Sequence, residues 1–131
     1  MPFVRVDLVA GKSADYRRTI GDVIYEALVD ICKVPKDDRF QVFKELSPEC
    51  HYADEGYLGI KRTKDCIFIQ IFFLAGRTVE QKKGFYKAVA DGLHQRLALR
   101  REDVFIGLVE VPRENWSFGN GEAQYATSPG R

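Results

Sequence analysis

Apolar residues change their period twice along the first third of the chain. From Phe3 to Val9 they form a short run rich in Val, Phe and Leu, closed by Ala10-Gly11, which is the pattern of a buried strand. Ser13 then stands where a helix N-cap belongs. From Ala14 to Ile31 the apolar positions Ile20, Val23, Ile24, Ala27, Leu28 and Ile31 fall on one helical face. A turn at Val34-Pro35-Lys36-Asp37-Asp38 ends that helix, and Arg39–Leu46 reads as a second strand.

The same grammar returns 65 residues later, and a repeat of this kind governs the whole fold. Ile67–Leu74 is a strand, Gly76 breaks it, and Thr78 caps a helix to Leu97 whose stripe is Phe85, Ala88, Val89, Leu93 and Leu97. After a turn at Leu99–Asp103, Val104–Val111 closes the unit as a strand. Phe3–Leu46 overlays Phe68–Val111 without a gap, matching Phe3 with Phe68, Ala10-Gly11 with Ala75-Gly76, Leu28 with Leu93, Asp38 with Asp103, Phe40 with Phe105 and Glu45 with Glu110. Charge is kept at Lys12 and Arg77, and at Arg17-Arg18 and Lys82-Lys83. This is a tandem duplication of β-α-β, and each crossover helix forces its two strands to be parallel. The expected architecture is a single α+β domain of two pseudo-symmetric halves (2–46 and 67–111), with a four-stranded mixed sheet and two helices on one face. A polar linker, Ser47 to Asp65, joins the halves. A tail, Pro112–Arg131, carries Trp116, Phe118, Gly119, Gly121 and Tyr125 and reads as a short hairpin or loop packed over something, with Thr127–Arg131 expected to fray.

Composition narrows the function classes. With 131 residues, 45% hydrophobic and 12% aromatic, the chain has enough apolar material for one proper core. Twenty Lys and Arg against nineteen Asp and Glu leave a formal charge of +1, without the basic excess of a nucleic-acid binder or a polybasic membrane anchor. No apolar run approaches a membrane span, and no signal-peptide core opens the sequence. Cys32, Cys50 and Cys66 are odd in number and lack C-x-x-C spacing, so neither a disulfide framework, a zinc site nor another metal or cofactor site is implied. Cytoplasmic location with reduced thiols is the expectation. His51 and His94 read as surface or core fillers.

Two motifs fail on inspection. Gly11-Lys12-Ser13 mimics the end of a phosphate loop but has Val6 where the first glycine belongs, and Gly119-Asn120-Gly121 has Gln124 in place of the third glycine of a dinucleotide fingerprint.

Pro2 remains. Its ordinary role is to start a strand, yet its counterpart in the second copy is Ile67, so the repeat does not demand proline there. Removal of Met1 would expose a secondary amine, able to shuttle protons or to condense with a carbonyl. If strands 1 and 3 are antiparallel, Arg77 just past strand 3 and Asp38 just before strand 2 share a sheet edge with Pro2. An amine, a guanidinium and a carboxylate beside apolar residues make a plausible carboxylate-processing site, with Arg77 clamping the acid. Against that, Asp38 and Asp103 share a turn position, and Arg77 mirrors Lys12, so both also read as ordinary turn and helix-start residues.

Each repeat resembles the subunit of 4-oxalocrotonate tautomerase, founder of the tautomerase superfamily. The features that match are Pro2, the Ala-Gly-Lys-Ser and Ala-Gly-Arg-Thr-Val-Glu-Gln stretches, and Glu110 followed by Phe118-Gly119-x-Gly121. Val34-Pro35-Lys36-Asp37-Asp38-Arg39-Phe40 and Trp116-Ser117-Phe118-Gly119 make the whole chain similar to the malonate semialdehyde decarboxylase branch. The resemblance implies a tautomerase or macrophage migration inhibitory factor-like fold, a homotrimer and no cofactor. It further implies Pro2 as the catalytic amine, Asp38 as the water-positioning and pKa-tuning carboxylate, Arg77 as the substrate-carboxylate binder, and Trp116 and Phe118 in a hydrophobic wall. Some members of that branch carry a second arginine two residues before the first, where this chain has Ala75.

The reaction follows from the charge on Pro2. A free α-amino group titrates near ~7.7–8.0. Burial and Arg77 lower that value and Asp38 raises it, so the amine is a base for keto–enol tautomerisation in one case and a carbonyl-polarising acid in the other. Asp38 favours the cation, hence decarboxylation or hydration of a small 3-oxo or unsaturated carboxylic acid. The alternatives are a tautomerase of 2-hydroxydienoate or phenylpyruvate type, and a non-catalytic ferredoxin-like small-molecule binding module.

Overall fold

The computed structural model describes residues 2–126; Met1, whose removal the chemistry above requires, and the expected frayed end at 127–131 lie outside the described residues. Strand β1 spans Phe3–Val9, helix α1 Ala14–Asp30, β2 Gln41–Leu46, β3 Ile67–Leu74, α2 Val79–Leu97 and β4 Val104–Val111. The sheet order is β2-β1-β3-β4, with β1·β2 and β3·β4 parallel and the central pair β1·β3 antiparallel. This is the duplicated β-α-β arrangement with its pseudo-twofold between β1 and β3.

Alternation along the central strands puts Val4, Val6 and Leu8 of β1 and Ile67, Ile69, Ile71 and Phe73 of β3 on one face. Ile20, Val23, Ile24, Ala27 and Leu28 of α1 and Phe85, Val89 and Leu93 of α2 pack against them in one core. Burying side chains of this size contributes roughly 1.5–3 kcal/mol each. The helices touch closely at Gly92, where an added Cβ would lie 2.9 Å from Val23 Cγ1. Their N-termini are capped as expected. The Ser13 hydroxyl accepts from the Tyr16 N–H at 3.0 Å, and Thr78 forms a reciprocal capping box with Gln81. Such caps stabilise a helix by about 1 kcal/mol each.

Two expectations need adjustment. Helix α1 stops at Asp30, with Ile31 as its C-cap. Strand β2 begins at Gln41 rather than Arg39, because the Arg39 side chain turns back to Asp22 of α1 at 2.8 Å and lies over the Tyr25 ring. The polar linker holds two 3₁₀ turns, Pro48–Cys50 and Tyr57–Gly59. Of the two forms expected for the tail, the described part, up to residue 126, takes the loop, with one 3₁₀ turn at Arg113–Asn115.

Candidate active site

Antiparallel pairing sets Phe3 level with Phe72, so β3 ends where β1 begins. Parallel pairing sets Val4 level with Gln41, and the Val4 N–H donates to the Phe40 carbonyl at 2.9 Å, which brings the turn before β2 to the same edge. Three of the expected residues share that edge. Pro2 is buried immediately before β1, Asp38 is half-buried three residues before β2, and Arg77 is half-buried three residues after β3.

Asp38 is held by its turn. The Asp38 N–H donates to the Pro35 carbonyl at 3.4 Å, the Asp37 N–H to the Tyr25 hydroxyl at 3.0 Å, and Asp37 sits at φ 67°. Burial pushes the Asp38 carboxyl above its ordinary value, against the pull of the Arg77 guanidinium. The guanidinium assigned to it from the sequence therefore acts on this carboxylate. Its repeat twin behaves otherwise. Asp103 is 1% exposed and accepts from the Thr63 N–H at 2.7 Å and the Thr63 hydroxyl at 2.6 Å, with Arg100 at 3.6 Å. One copy of this aspartate staples the linker to the second turn; the other faces the strand edge.

Arg77 is anchored by its own fork. Nε donates to the Cys32 carbonyl at 3.1 Å, Nη1 donates to the Leu74 carbonyl at 3.2 Å, and Cζ lies 5.4 Å from the centre of the Phe73 ring. One step beyond the Phe3–Phe72 pair, the register brings Phe73 level with Pro2. Of the five guanidinium N–H bonds, three remain for a ligand. Among the described residues no carboxylate lies within 4.0 Å of this cation.

Beside Arg77 opens a cleft of about 490 Å³, walled by Cys32 and Lys33 after α1, Leu74 at the end of β3, Arg77 beyond it, Gln81 of α2 and Tyr125 of the tail. Pro2 and Asp38 stand on the neighbouring strand edge and are not part of these walls. Trp116 and Phe118 stack at 5.4 Å, and Phe118 meets Tyr125 edge-on at 4.7 Å, so they stand one ring removed from the cleft. Gln124 fixes that arrangement: its Oε1 accepts from the Phe118 N–H at 2.9 Å and its Nε2 donates to the Gly119 carbonyl at 2.8 Å. Gly119 sits at φ 135°, a conformation that only glycine adopts freely.

Tyr125 and Lys33 are the cleft residues that sequence reasoning passed over. Tyr125 was visible only as one more tail aromatic, and Lys33 only as a charge after a helix. The histidines are placed plainly: the His51 ring stacks on Phe68 at 4.6 Å, and His94 Nδ1 lies 3.2 Å from the Leu99 carbonyl. Among the described residues no helix is long and apolar enough to cross a membrane, and no three His, Cys, Asp or Glu side chains gather as a metal site.

Comparison with known proteins agrees with this fold. A family model described as tautomerase enzyme matches residues 38–119, and a second of the same description matches residues 2–57. The chain is 39% identical over 124 residues to the probable tautomerase YusQ of Bacillus subtilis (strain 168), covering 95% of this chain and 98% of that one. Among solved structures it is similar to the FG41 malonate semialdehyde decarboxylase inhibited by 3-bromopropiolate, with a TM-score of 0.88, 36% identity and 95% of each chain covered. A second malonate semialdehyde decarboxylase, one with decarboxylase and hydratase activities, matches with a TM-score of 0.89 and 29% identity over 95% of this chain and 96% of that one. From its duplicated β-α-β sheet to its full-length relatives, the chain belongs to the tautomerase superfamily of enzymes.

Proposed function

We propose that this chain is a cofactor-independent decarboxylase or hydratase of small 3-oxo or unsaturated carboxylic acids, with Pro2 as its reactive amine once Met1 is removed. The observation that carries this reading is the convergence of Pro2, Asp38 and Arg77 on one sheet edge, beside a cleft with an unpaired guanidinium. Similarity to the two decarboxylases supports the same reaction class.

In the decarboxylation of a 3-oxo acid, Arg77 binds the carboxylate and the protonated Pro2 amine donates a hydrogen bond to the carbonyl oxygen. The bond between the carboxyl carbon and C2 breaks, its electron pair passes into the enolate, and CO2 leaves. A proton delivered to C2 from Pro2 restores the keto product. Asp38 stabilises the cationic amine until that proton is given up, and a proton from water restores the cation for the next turnover. In hydration, the same cation polarises the unsaturated acid while Asp38 positions the attacking water. A Pro2→Ala variant tests the assignment: turnover of a 3-oxo acid should fall by about 10²-fold or more, and a variant of undiminished rate overturns it.

A second reading, tautomerisation of a 2-hydroxydienoate or phenylpyruvate type of acid, is favoured by the 39% identical probable tautomerase. It requires Pro2 as a free base. A pH–rate profile separates the two, since the rate rises with deprotonation of the amine in the tautomerase and falls with it in the decarboxylase.

We also propose a homotrimer. The sheet face away from the helices carries Phe3, Phe68, Phe72 and Phe105, none of them fully buried and Phe105 51% exposed. Apolar area of this kind is normally covered by another subunit. Light scattering should return three times the 15.0 kDa chain mass; a monomer overturns the assembly.

A further inference from the structure

Helix α1 is followed by two carbonyls that, among the described residues, receive no backbone N–H. The helical partner of the Ile31 carbonyl would be the N–H four residues on, and that residue is Pro35, which has none. The Cys32 carbonyl lies beyond the last turn, where the chain has left the helix. That turn carries no basic side chain of its own. Both carbonyls are taken by the second repeat instead: Gln81 Nε2 donates to Ile31 at 3.2 Å and Arg77 Nε donates to Cys32 at 3.1 Å.

The Gln81 carboxamide is held at its other end as well. Its Oε1 accepts from the Thr78 N–H at 2.9 Å, and the Gln81 N–H donates to the Thr78 hydroxyl at 3.1 Å. Two sequence neighbours, Arg77 and Thr78, are thereby bound to two others, Ile31 and Cys32, in one closed ring of hydrogen bonds. A capping box uses only the carboxamide oxygen. The bond from Nε2 to Ile31 is additional to it and reaches 50 positions back along the chain. The first repeat lacks this device. Tyr16 stands at the position of Gln81, and Lys12, at the position of Arg77, is paired with Asp65 at 3.3 Å. Of the two copies, the glutamine accompanies the cation that no carboxylate neutralises.

We propose that Gln81 is a positioning residue for acid binding: its carboxamide locks the end of α1 to the start of α2 and so fixes the direction of the Arg77 fork. This rests on the reading of Arg77 as the acid binder and goes beyond it, since Gln81 acts through Arg77. With the lock in place, the Cys32 carbonyl stays within reach of Nε, and the three remaining N–H donors keep one orientation. Without it, the Ile31 and Cys32 carbonyls keep one of these two bonds, and the guanidinium gains freedom that an acid must remove on binding.

The test takes butanoate as an unreactive acid, on the full chain and on Gln81→Met, Thr78→Ala and Arg77→Met. Calorimetric titration gives Kd, urea unfolding gives stability, and NMR gives the solvent exchange of the Arg77 Nε–H. Methionine matches glutamine in length and makes neither bond. Thr78→Ala removes the hydroxyl half of the cap and leaves the Ile31 bond, so it controls for lost helix stability. Gln81→Met should weaken butanoate binding about three- to tenfold and speed the Nε–H exchange at least about tenfold. Thr78→Ala should leave both near the native values despite a lower urea midpoint. If Gln81→Met leaves either reading at its native value, or Thr78→Ala shifts both equally, Gln81 is a helix cap alone; the inference is then wrong and the reading of Arg77 stands. If Arg77→Met leaves butanoate binding unaltered, or the native protein binds none, the reading of Arg77 fails, and the inference fails with it.

Discussion

Arg77 donates from Nε to the Cys32 carbonyl at 3.1 Å, a bond that ties the end of the first repeat's helix to the end of the second repeat's first strand. The guanidinium is thus a planar fork held by two backbone carbonyls and the face of Phe73, with its remaining donors free for an acid. A lysine keeps the charge but not the fork. Arg77→Lys should lower kcat/KM by about 10- to 100-fold, mainly through KM, with a denaturation midpoint close to that of the parent. Steady-state kinetics beside urea unfolding checks both halves.

Asp38 and Asp103 are repeat twins with opposite energetics. Asp103 is buried and accepts two bonds from Thr63, so Asp103→Ala strands the Thr63 N–H and hydroxyl and should cost about 2–3 kcal/mol in urea unfolding. Activity per folded molecule should be little changed. Asp38→Asn should do the reverse, impairing turnover while leaving the fold intact.

The pH dependence of Asp38 has a definite sign. Burial raises its folded-state pKa above the ordinary 3.8, so the native protein binds this proton more tightly than the unfolded chain does. Between 3.8 and the raised value, stability falls as pH rises; below 3.8 the ionisation cost is absent, and above the raised value it is complete. Asp38→Asn removes that cost. Its unfolding free energy at pH 7 should equal or exceed that of the parent, and the difference between the two should shrink below pH 4.

The thiols should react unequally. Burial pushes the Cys66 thiol up to about 11 and raises that of Cys32, and both side chains are shielded, whereas Cys50 is exposed. An aromatic disulfide reagent at pH 8 should titrate one thiol in the native protein and three after denaturation. Rapid native reaction of more than one contradicts the buried placement.

Most of the scaffold was legible from periodicity. β1, β3 and β4 begin and end where the apolar runs do, because each is flanked by glycine or a turn and both central strands bury one whole face. The start of β2 was not legible, since Arg39 is drawn to Asp22 and Tyr25 by contacts that span 17 and 14 positions and leave no local trace. The site divided in the same way. Pro2, Asp38 and Arg77 could be placed on one edge from strand topology alone. Tyr125 and Lys33 could not, because the loops that carry them are positioned by the Gln124 clamp and by a left-handed residue after α1. Nor could sequence separate the two aspartates: Thr63, which distinguishes them, lies in the linker outside the repeat.

The central claim is that the ring nitrogen of Pro2 does the chemistry. Its most direct test is the kcat/KM of Pro2→Ala against the parent on the same 3-oxo acid, with intact mass showing that both chains begin at position 2. A loss of about 10²-fold or more with the fold preserved is the predicted result; equal rates from the two chains would contradict the account.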